Sequence, residues 1–179
     1  MRHLQLALLC LIFLAAAPAR AATDVVSVPE LDIGRYAGQW HEIARLPMSF
    51  QNKCVGDVTA SYTLRSDGLV GVHNACRVAG GGIESAEGRA RRIPGKPGQL
   101  EVSFVPQWLT WLPLVWADYW VIALDPDYQW AVVGDPKRKY LWILSRSPSM
   151  DRALFGQLRQ RAEAMGYDLD ALIVSAPVQ

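Results

Sequence analysis

The chain has little of what metal sites and nucleophilic catalysis require. It contains three histidines and three cysteines, and one of each lies within the first ten residues. The remaining His41 and His73 and the remaining cysteine pair do not have the spacing of zinc ligands. The glycine run 80–82 precedes a short charged strand rather than a helix, which excludes a phosphate-binding loop. We therefore expect no metal and no cofactor.

Catalytic residues are equally scarce. No nucleophile-elbow motif is present, and His41 and His73 are both predicted to lie on outward strand faces. Glu42 could form an acid–base pair with Glu84 or Glu87, but those carboxylates lie on distant strands. The sequence therefore predicts that the protein is not an enzyme.

An excess of charge of either sign is also absent. The 18 basic residues nearly balance the 17 acidic ones, and without Arg2 and Arg20 of the N-terminal leader the net charge is −1. That balance gives no indication of a nucleic-acid partner. Hydrophobic residues make up 51% of the chain, which argues against disorder, and the length suits one domain rather than two.

The one long apolar run is at the N-terminus. A short basic segment precedes it and an A-x-A cleavage pattern follows it, which predicts a secretory signal peptide over residues 1–21, with cleavage after Ala21 or Ala22. The run is too short to span a bilayer comfortably. Cys10 follows two leucines rather than a small residue, so we expect no lipid modification. Residues 22–179 are then a single exported domain, periplasmic, secreted or associated with the outer membrane, and not a lipoprotein.

Two cysteines remain in the exported chain, Cys54 and Cys76. An even pair in an oxidising compartment favours a disulfide. Residues 57–64 and 69–78 have strand character around a Ser-Asp-Gly turn, and such a hairpin would bring Cys76 near Cys54. Closing a loop of about 20 residues would stabilise the fold by about 3 kcal/mol. A free buried thiol and a reactive thiol remain the alternatives.

Strand and turn signals alternate at short intervals along most of the chain. They predict eight strands with no helix among them, which indicates an all-antiparallel barrel or sandwich. After residue 149 the apolar period changes to 3.6, which predicts one helix capped by Ser149 or Asp151 and ended by Gly166. The apolar face of this helix consists of Leu154, Leu158, Ala162 and Met165.

The stretch 31–46 favours the barrel. From Trp40 onward its pattern has period two, which indicates a strand whose two faces have different surroundings. One face begins with a large aromatic and continues with smaller residues, as in the interior of a barrel closed at one end. Gly38 allows a turn or a close approach of the backbone where the strand begins. The predicted inner face carries Trp40, Glu42, Ala44 and Leu46, and the outer face carries His41, Ile43 and Arg45.

Three blocks of sequence together resemble the lipocalin family. They are GQW at 38–40, DYWVIALDPDYQWAVV at 118–133, and YLWILSRSP at 140–148 followed by a helix. The resemblance is strongest to the bacterial outer-membrane branch, related to apolipoprotein D and the plant temperature-induced lipocalins, and it covers nearly the whole exported chain. It implies an eight-stranded antiparallel up-and-down β-barrel with a ligand cup open at one end, and one C-terminal α-helix packed on the outside.

The resemblance also assigns residues to the floor and the cup. Trp40 closes the floor, and Arg146 packs across its ring, a contact that contributes about 0.5–2 kcal/mol. Positions near the floor are explained equally well as core, whereas polar groups near the mouth, such as Asn74, need a partner. From strand parity and the family register, the predicted ligand-binding residues are Glu42, Ala44, Ala60, Tyr62, Val72, Asn74, Val102, Phe104, Tyr119, Val121, Tyr140 and Trp142.

Residues 106–116 connect strands five and six at the mouth and are unusually apolar for a loop. Contact with a membrane or a partner is the favoured interpretation, with a lid over the cup and a dimer surface as alternatives. The protein is accordingly a monomer or a homodimer. The basic turn 137–139 reaches the same rim and would suit an anionic head group, although a solvated turn explains it as well. The apolar side chains that define the loop are Trp108, Leu109, Trp111, Leu112 and Trp116.

These features favour non-enzymatic binding and transport of a small hydrophobic or amphiphilic ligand, a fatty acid or a lysophospholipid. The setting would be the bacterial cell envelope, in membrane maintenance or the stress response. One alternative is a lipocalin-fold enzyme that acts on a lipophilic substrate through acid–base chemistry or a reduced cysteine. Another is a protein-interaction module that uses the 106–116 loop.

Overall fold

The computed structural model describes residues 23–179, so the predicted signal peptide lies outside the described residues. The helices are α1 (Ile33–Tyr36) and α2 (Arg152–Ala164). The strands are β1 (Gly38–Arg45), β2 (Cys54–Leu64), β3 (Val70–Val78), β4 (Ile83–Ile93), β5 (Lys96–Ser103), β6 (Ala117–Leu124), β7 (Trp130–Gly134), β8 (Leu141–Ser145) and β9 (Ile173–Val174).

Strands β1 to β8 form a closed antiparallel barrel. Each of them pairs with the next along the chain, and β1 pairs with both β2 and β8. The pairing between β1 and β2 runs from Gly38 and Tyr62 to His41 and Thr59, and beyond it β9 pairs with β1 instead. The predicted eight-stranded up-and-down barrel is therefore confirmed. The sequence pattern did not indicate β9.

Two buried clusters lie on opposite faces of the barrel wall. Along β7, Ala131 and Val133 belong to the inner cluster and Val132 to the outer one, because successive side chains of a strand point to opposite faces. The inner cluster is built around Tyr36, Trp40, Tyr62, Val72, Leu100, Tyr119, Val121 and Leu144. The outer cluster packs the wall against α2 through Ile43, Ile122, Leu141, Ile143, Phe155 and Leu158.

The predicted C-terminal helix is confirmed. It begins after Asp151, whose side chain accepts a hydrogen bond of 2.8 Å from the backbone N–H of Leu154, so Asp151 rather than Ser149 is the cap. It ends before Gly166, whose φ of +83° suits a residue without a side chain. The apolar face predicted from the 3.6 period packs on the outer wall of the barrel.

A β-bulge in β1 changes the faces that simple alternation predicts. The register with β8 shifts between Glu42 and Ala44, so that Arg45 pairs with the inward-facing Trp142. An extra residue in one strand inverts the alternation beyond it. Ala44 and Leu46 therefore belong to the outer cluster, and the predictions that they face the cup are wrong. Arg45 was predicted to face outward and instead faces inward.

Cys54 and Cys76 form a disulfide, with their Cα atoms 5.5 Å apart. The hairpin of β2 and β3 pairs Cys54 with Val78, close to Cys76, as predicted. The bond fixes the end of the β1–β2 connection to the barrel wall. Because both cysteines of residues 23–179 take part in the bond, neither has a free thiol.

Candidate functional site

The closed end of the barrel is built around Trp40, which is fully buried. The guanidinium carbon of Arg146 lies 3.8 Å from the centroid of the indole ring. The guanidinium also donates to the carbonyl oxygens of Gln39 and Arg35, both at 2.8 Å. Gly38 has a φ of +94°, and a Cβ there would lie 3.3 Å from Arg146 Nη1. Arg146, just after β8, thus binds the segment that leads into β1.

Three tyrosine hydroxyls meet just above this floor. The Tyr119 oxygen lies 2.8 Å from the Tyr36 oxygen and 2.8 Å from the Tyr62 oxygen. Burial raises the pKa of Tyr62 to about 12 and raises the pKa values of Tyr36 and Tyr119 well above the ordinary phenol value. Sequence reasoning placed Tyr62 and Tyr119 in the cup but missed Tyr36, which lies in α1 before the strand pattern begins.

On the β4–β5 side of the barrel, the inner wall becomes less buried towards the mouth. Phe104 lies just beyond the end of β5 and packs over Gly88, where an added Cβ would lie 2.7 Å from the ring. It is 45% exposed although its ring covers the inner side of β4. The inner space is therefore open to solvent at this end. The other predicted cup residues at inward positions are Ala60, Val72, Asn74, Val102, Val121 and Trp142.

Asn74 carries an unsatisfied polar atom on the inner wall. It pairs with inward-facing Ala60 on β2 and with Ala86 on β4, so its neighbours across both strands are small. Its Oδ1 is buried and has no hydrogen-bond partner among residues 23–179. A buried acceptor without a partner costs free energy, which a suitable donor would recover.

Aromatic side chains line one side of the mouth. The rings of Tyr140 and Trp142 stack with centroids 6.0 Å apart, and the ring of Phe50 lies 5.8 Å from that of Tyr140. The indole N–H of Trp142 donates to Gln51 Oε1 at 3.4 Å. Tyr140 and Trp142 were predicted, whereas Phe50 and Gln51 were missed because they lie in the β1–β2 connection, where strand alternation gives no information.

Glu42 and Arg45 form a buried ion pair on the inner face of β1. Arg45 Nε lies 3.2 Å from Glu42 Oε1, in a geometry that does not make a hydrogen bond. Glu42 accepts hydrogen bonds from the Gln51 amide at 2.6 Å and from the Ser175 hydroxyl. Burial raises the pKa of Glu42, while the bonds from Ser175 and Gln51 and the charge of Arg45 act in the opposite direction. Both carboxylate oxygens thus already have protein partners, which tie β1 to two neighbouring segments.

A cavity of about 470 Å³ lies beside the ion pair. It is found where β2 has left β1 and β9 has taken its place. Sequence reasoning did not indicate it, because its position depends on the bulge and on β9. Its lining consists of Arg45, Pro47, Met48, Ser49, Asn52, Cys54 and Ile173.

The 106–116 loop presents apolar side chains to solvent. Two short 3₁₀ turns shape it, and Trp108, Trp111 and Leu114 are 73%, 76% and 96% exposed. Trp116 holds the loop to the wall, because its ring lies 4.1 Å from the guanidinium of Arg91 and its N–H donates to a loop carbonyl. The three exposed side chains are not packed into the mouth.

The basic turn between β7 and β8 is only partly available at the rim. Arg138 donates to the carbonyl oxygen of Met165 at 2.6 Å and to that of Thr23 at 3.1 Å, so it binds the end of α2. The Lys139 ammonium lies 5.0 Å from the centroid of the Tyr140 ring, and Lys137 is exposed. Two of the three predicted cations therefore remain at the mouth.

The described residues show no metal-binding cluster and no membrane-spanning helix. Within residues 23–179, no group of three or more His, Cys, Asp or Glu side chains is placed to hold a metal ion. His73 lies on the outer surface and contacts Glu87 at 2.5 Å. In the same part of the chain, no helix has both the length and the apolar character that crossing a membrane requires.

Comparison with known proteins agrees with the geometry. Residues 31–177 match the lipocalin-like domain. The chain is 43% identical over 148 residues to temperature-induced lipocalin-1 of Arabidopsis thaliana, covering 81% of this chain and 78% of that protein. It is 36% identical over 152 residues to the outer membrane lipoprotein Blc of Escherichia coli K12, covering 83% and 81%. The structure of insecticyanin from Manduca sexta superposes with a TM-score of 0.66 at 25% identity, covering 87% and 85%. The chain therefore belongs to the lipocalin family.

Proposed function

We propose that the protein is a non-enzymatic carrier that binds a fatty acid or a lysophospholipid in its cup. The family generally binds small hydrophobic ligands. The observation that carries the proposal is the gradient of the inner wall, which is buried and apolar at Trp40 and open to solvent at Phe104. An acyl chain entering the mouth would lose its contact with water, at about 0.8 kcal/mol for each buried methylene. A chain of about a dozen methylenes supports micromolar binding after the entropic costs of association.

The polar end of the ligand would remain near the mouth. Lys137 and Lys139 supply positive charge there for a carboxylate or a phosphate, and Arg138 does not, because it is bound to α2. Asn74 supplies an unsatisfied acceptor on the inner wall, which a hydroxyl of the ligand would satisfy. The two lysines favour an anionic amphiphile over a plain hydrocarbon.

Native mass spectrometry of delipidated protein mixed with hexadecanoic acid tests the proposal. Asn74→Trp fills the inner space opposite two alanines, whereas His73→Trp places the same ring on the outer surface one residue away. We expect the wild type and His73→Trp to bind one acid per chain and Asn74→Trp to bind none. Binding that persists in a folded Asn74→Trp variant would place the ligand elsewhere, and no binding by the wild type would refute this ligand class.

We further propose that the 106–116 loop contacts the interface of an anionic membrane. Tryptophan is favoured at the boundary of head groups and acyl chains. Trp108 and Trp111 are exposed on the mouth side of the barrel, where Lys137 and Lys139 add positive charge. A carrier that docks mouth-first would let its ligand pass without crossing bulk water.

Co-sedimentation with phosphatidylglycerol vesicles tests this docking. The double variant Trp108→Ser with Trp111→Ser should lose binding, whereas Leu64→Ser at the closed end, which is also an exposed apolar residue, should keep it. Equal sedimentation of both variants would refute the docking surface. If the double variant instead fails to form a dimer that the wild type forms, the loop is a subunit interface.

The location that fits these roles is the bacterial envelope, where the carrier would serve membrane maintenance or the stress response. The Escherichia coli relative is by name an outer membrane lipoprotein. For this chain we propose export through the signal at residues 1–21, without lipid attachment. Mass spectrometry of the mature N-terminus tests this, because an acylated cysteine there would contradict it.

A further inference from the structure

We propose that the three tyrosine hydroxyls at the base of the cup form a subsite for a neutral oxygen, such as a hydroxyl or a ketone carbonyl, on the buried end of the ligand. This inference rests on the proposed carrier function and specifies which amphiphiles it favours. A second polar group far from the head would distinguish such a ligand from an ordinary saturated fatty acid.

The first argument is a count of protons. Tyr36, Tyr62 and Tyr119 bring three O–H donors, but their two mutual contacts use only two of them. The third proton has no protein acceptor among the hydrogen bonds of residues 23–179. Whichever way the two bonds run, one donor of the cluster is therefore left for a molecule that is not part of the chain.

The second argument is the position of the cluster. Tyr36 is 1% exposed, and Tyr62 and Tyr119 keep 6% and 8% of their surface exposed. All three belong to the inner cluster, together with Trp40, Val72, Val121 and Val133. In such surroundings an unused O–H has a stronger preference for an acceptor than it would have in water.

The third argument concerns charge. All three phenols are protonated over the physiological range, because the ordinary phenol pKa already lies above it and burial raises their pKa values further. Arg146 stacks on the Trp40 ring and Arg45 pairs with Glu42. Among residues 23–179, no hydrogen bond or ion pair brings a cation to the three hydroxyls, so a carboxylate there would be desolvated without a paired counter-charge, whereas a neutral oxygen would need only the donor.

A matched pair of ligands tests the subsite. Hexadecanoic acid and 16-hydroxyhexadecanoic acid have the same chain length and head group and differ by one terminal oxygen. The variant Tyr62→Phe with Tyr119→Phe removes two of the three hydroxyls and keeps their rings, while Tyr167→Phe makes the same change in the outer cluster. Affinities are measured by titration calorimetry on delipidated protein, and circular dichroism checks that each variant is folded.

We expect the wild type and Tyr167→Phe to bind the hydroxy acid at least as tightly as the plain acid. The double variant should lose about tenfold in affinity for the hydroxy acid relative to the plain acid. If the double variant binds both acids as tightly as the wild type does, the subsite is overturned and the carrier function stands. If it binds both acids more weakly by the same factor, the carboxyl group lies at the floor, which also overturns the subsite. If neither acid binds to the wild type, both proposals fail. Should the double variant not fold, Tyr62→Phe and Tyr119→Phe are compared singly.

Discussion

Replacing Arg146 tests how the closed end of the barrel is held together. Arg146→Met keeps most of the aliphatic stem but removes the guanidinium. It eliminates the contact with Trp40 and the charged hydrogen bonds to the carbonyl oxygens of Gln39, Arg35 and Ala37. The cation–π contact contributes about 0.5–2 kcal/mol. A hydrogen bond to a charged group contributes about 1.5 kcal/mol at the low end, which applies here because the guanidinium is partly exposed.

We therefore expect the free energy of unfolding to fall by about 5 kcal/mol, the sum of three such hydrogen bonds and the low end of the cation–π contact. Urea denaturation followed by tryptophan fluorescence and by circular dichroism measures it. Arg146→Lys keeps the charge but not the planar fork, so it should restore less than half of the loss. A cycle with Trp40→Leu isolates the aromatic contact, and we expect a coupling energy of about 1 kcal/mol. A loss below about 1 kcal/mol for Arg146→Met, or no coupling to Trp40, would refute this account of the floor.

Three further predictions concern the wall. Glu42 keeps its proton to a higher pH in the folded protein than in the unfolded chain, so stability should fall as the pH rises from the ordinary carboxyl pKa through the raised one. Glu42→Gln should abolish that fall in melting temperature, and an unchanged pH profile would show that another group causes it. Cys54→Ala with Cys76→Ala should lower the free energy of unfolding, measured in urea, by about 3 kcal/mol. No loss would mean that the unfolded state of the variant is already compact. Gly88→Val should cost about 1–3 kcal/mol through collision with the Phe104 ring, and Phe104→Ala should relieve it; no relief would mean that the backbone is the cause.

Local signals were sufficient for the parts of the fold that depend on neighbouring residues. The Ser-Asp-Gly turn sets the register of the β2–β3 hairpin as far as Thr59 and Ala75, although two register shifts beyond that point are needed to bring Cys54 close to Cys76. The helix was predictable because Asp151 caps it and Gly166 ends it. In each case the chemistry that determines the structure lies within a few residues of the position that it determines.

The inner wall was less predictable where it depends on distant residues. Tyr36 lies in a one-turn helix outside any strand, and its position in the inner cluster depends on residues distant in sequence: Tyr119 supplies its hydrogen-bonding partner and Tyr62 packs against its ring. β9 has two residues, too few for a period to emerge, and it forms because β1 leaves β2. Neither feature has a local signature in composition or spacing.

The bulge in β1 has the largest consequence for function. A regular strand would place Ala44 in the cup and Arg45 in solvent, whereas the bulge packs Ala44 against the outer cluster and turns Arg45 inward to Glu42. The bulge thus places a buried ion pair on the upper inner wall, while the base carries neutral hydroxyls with one donor unused. A ligand of the proposed kind would pass Glu42, whose carboxylate oxygens already have protein partners, before it reached the unused donor. Selectivity should accordingly depend more on the buried end of the ligand than on its head group.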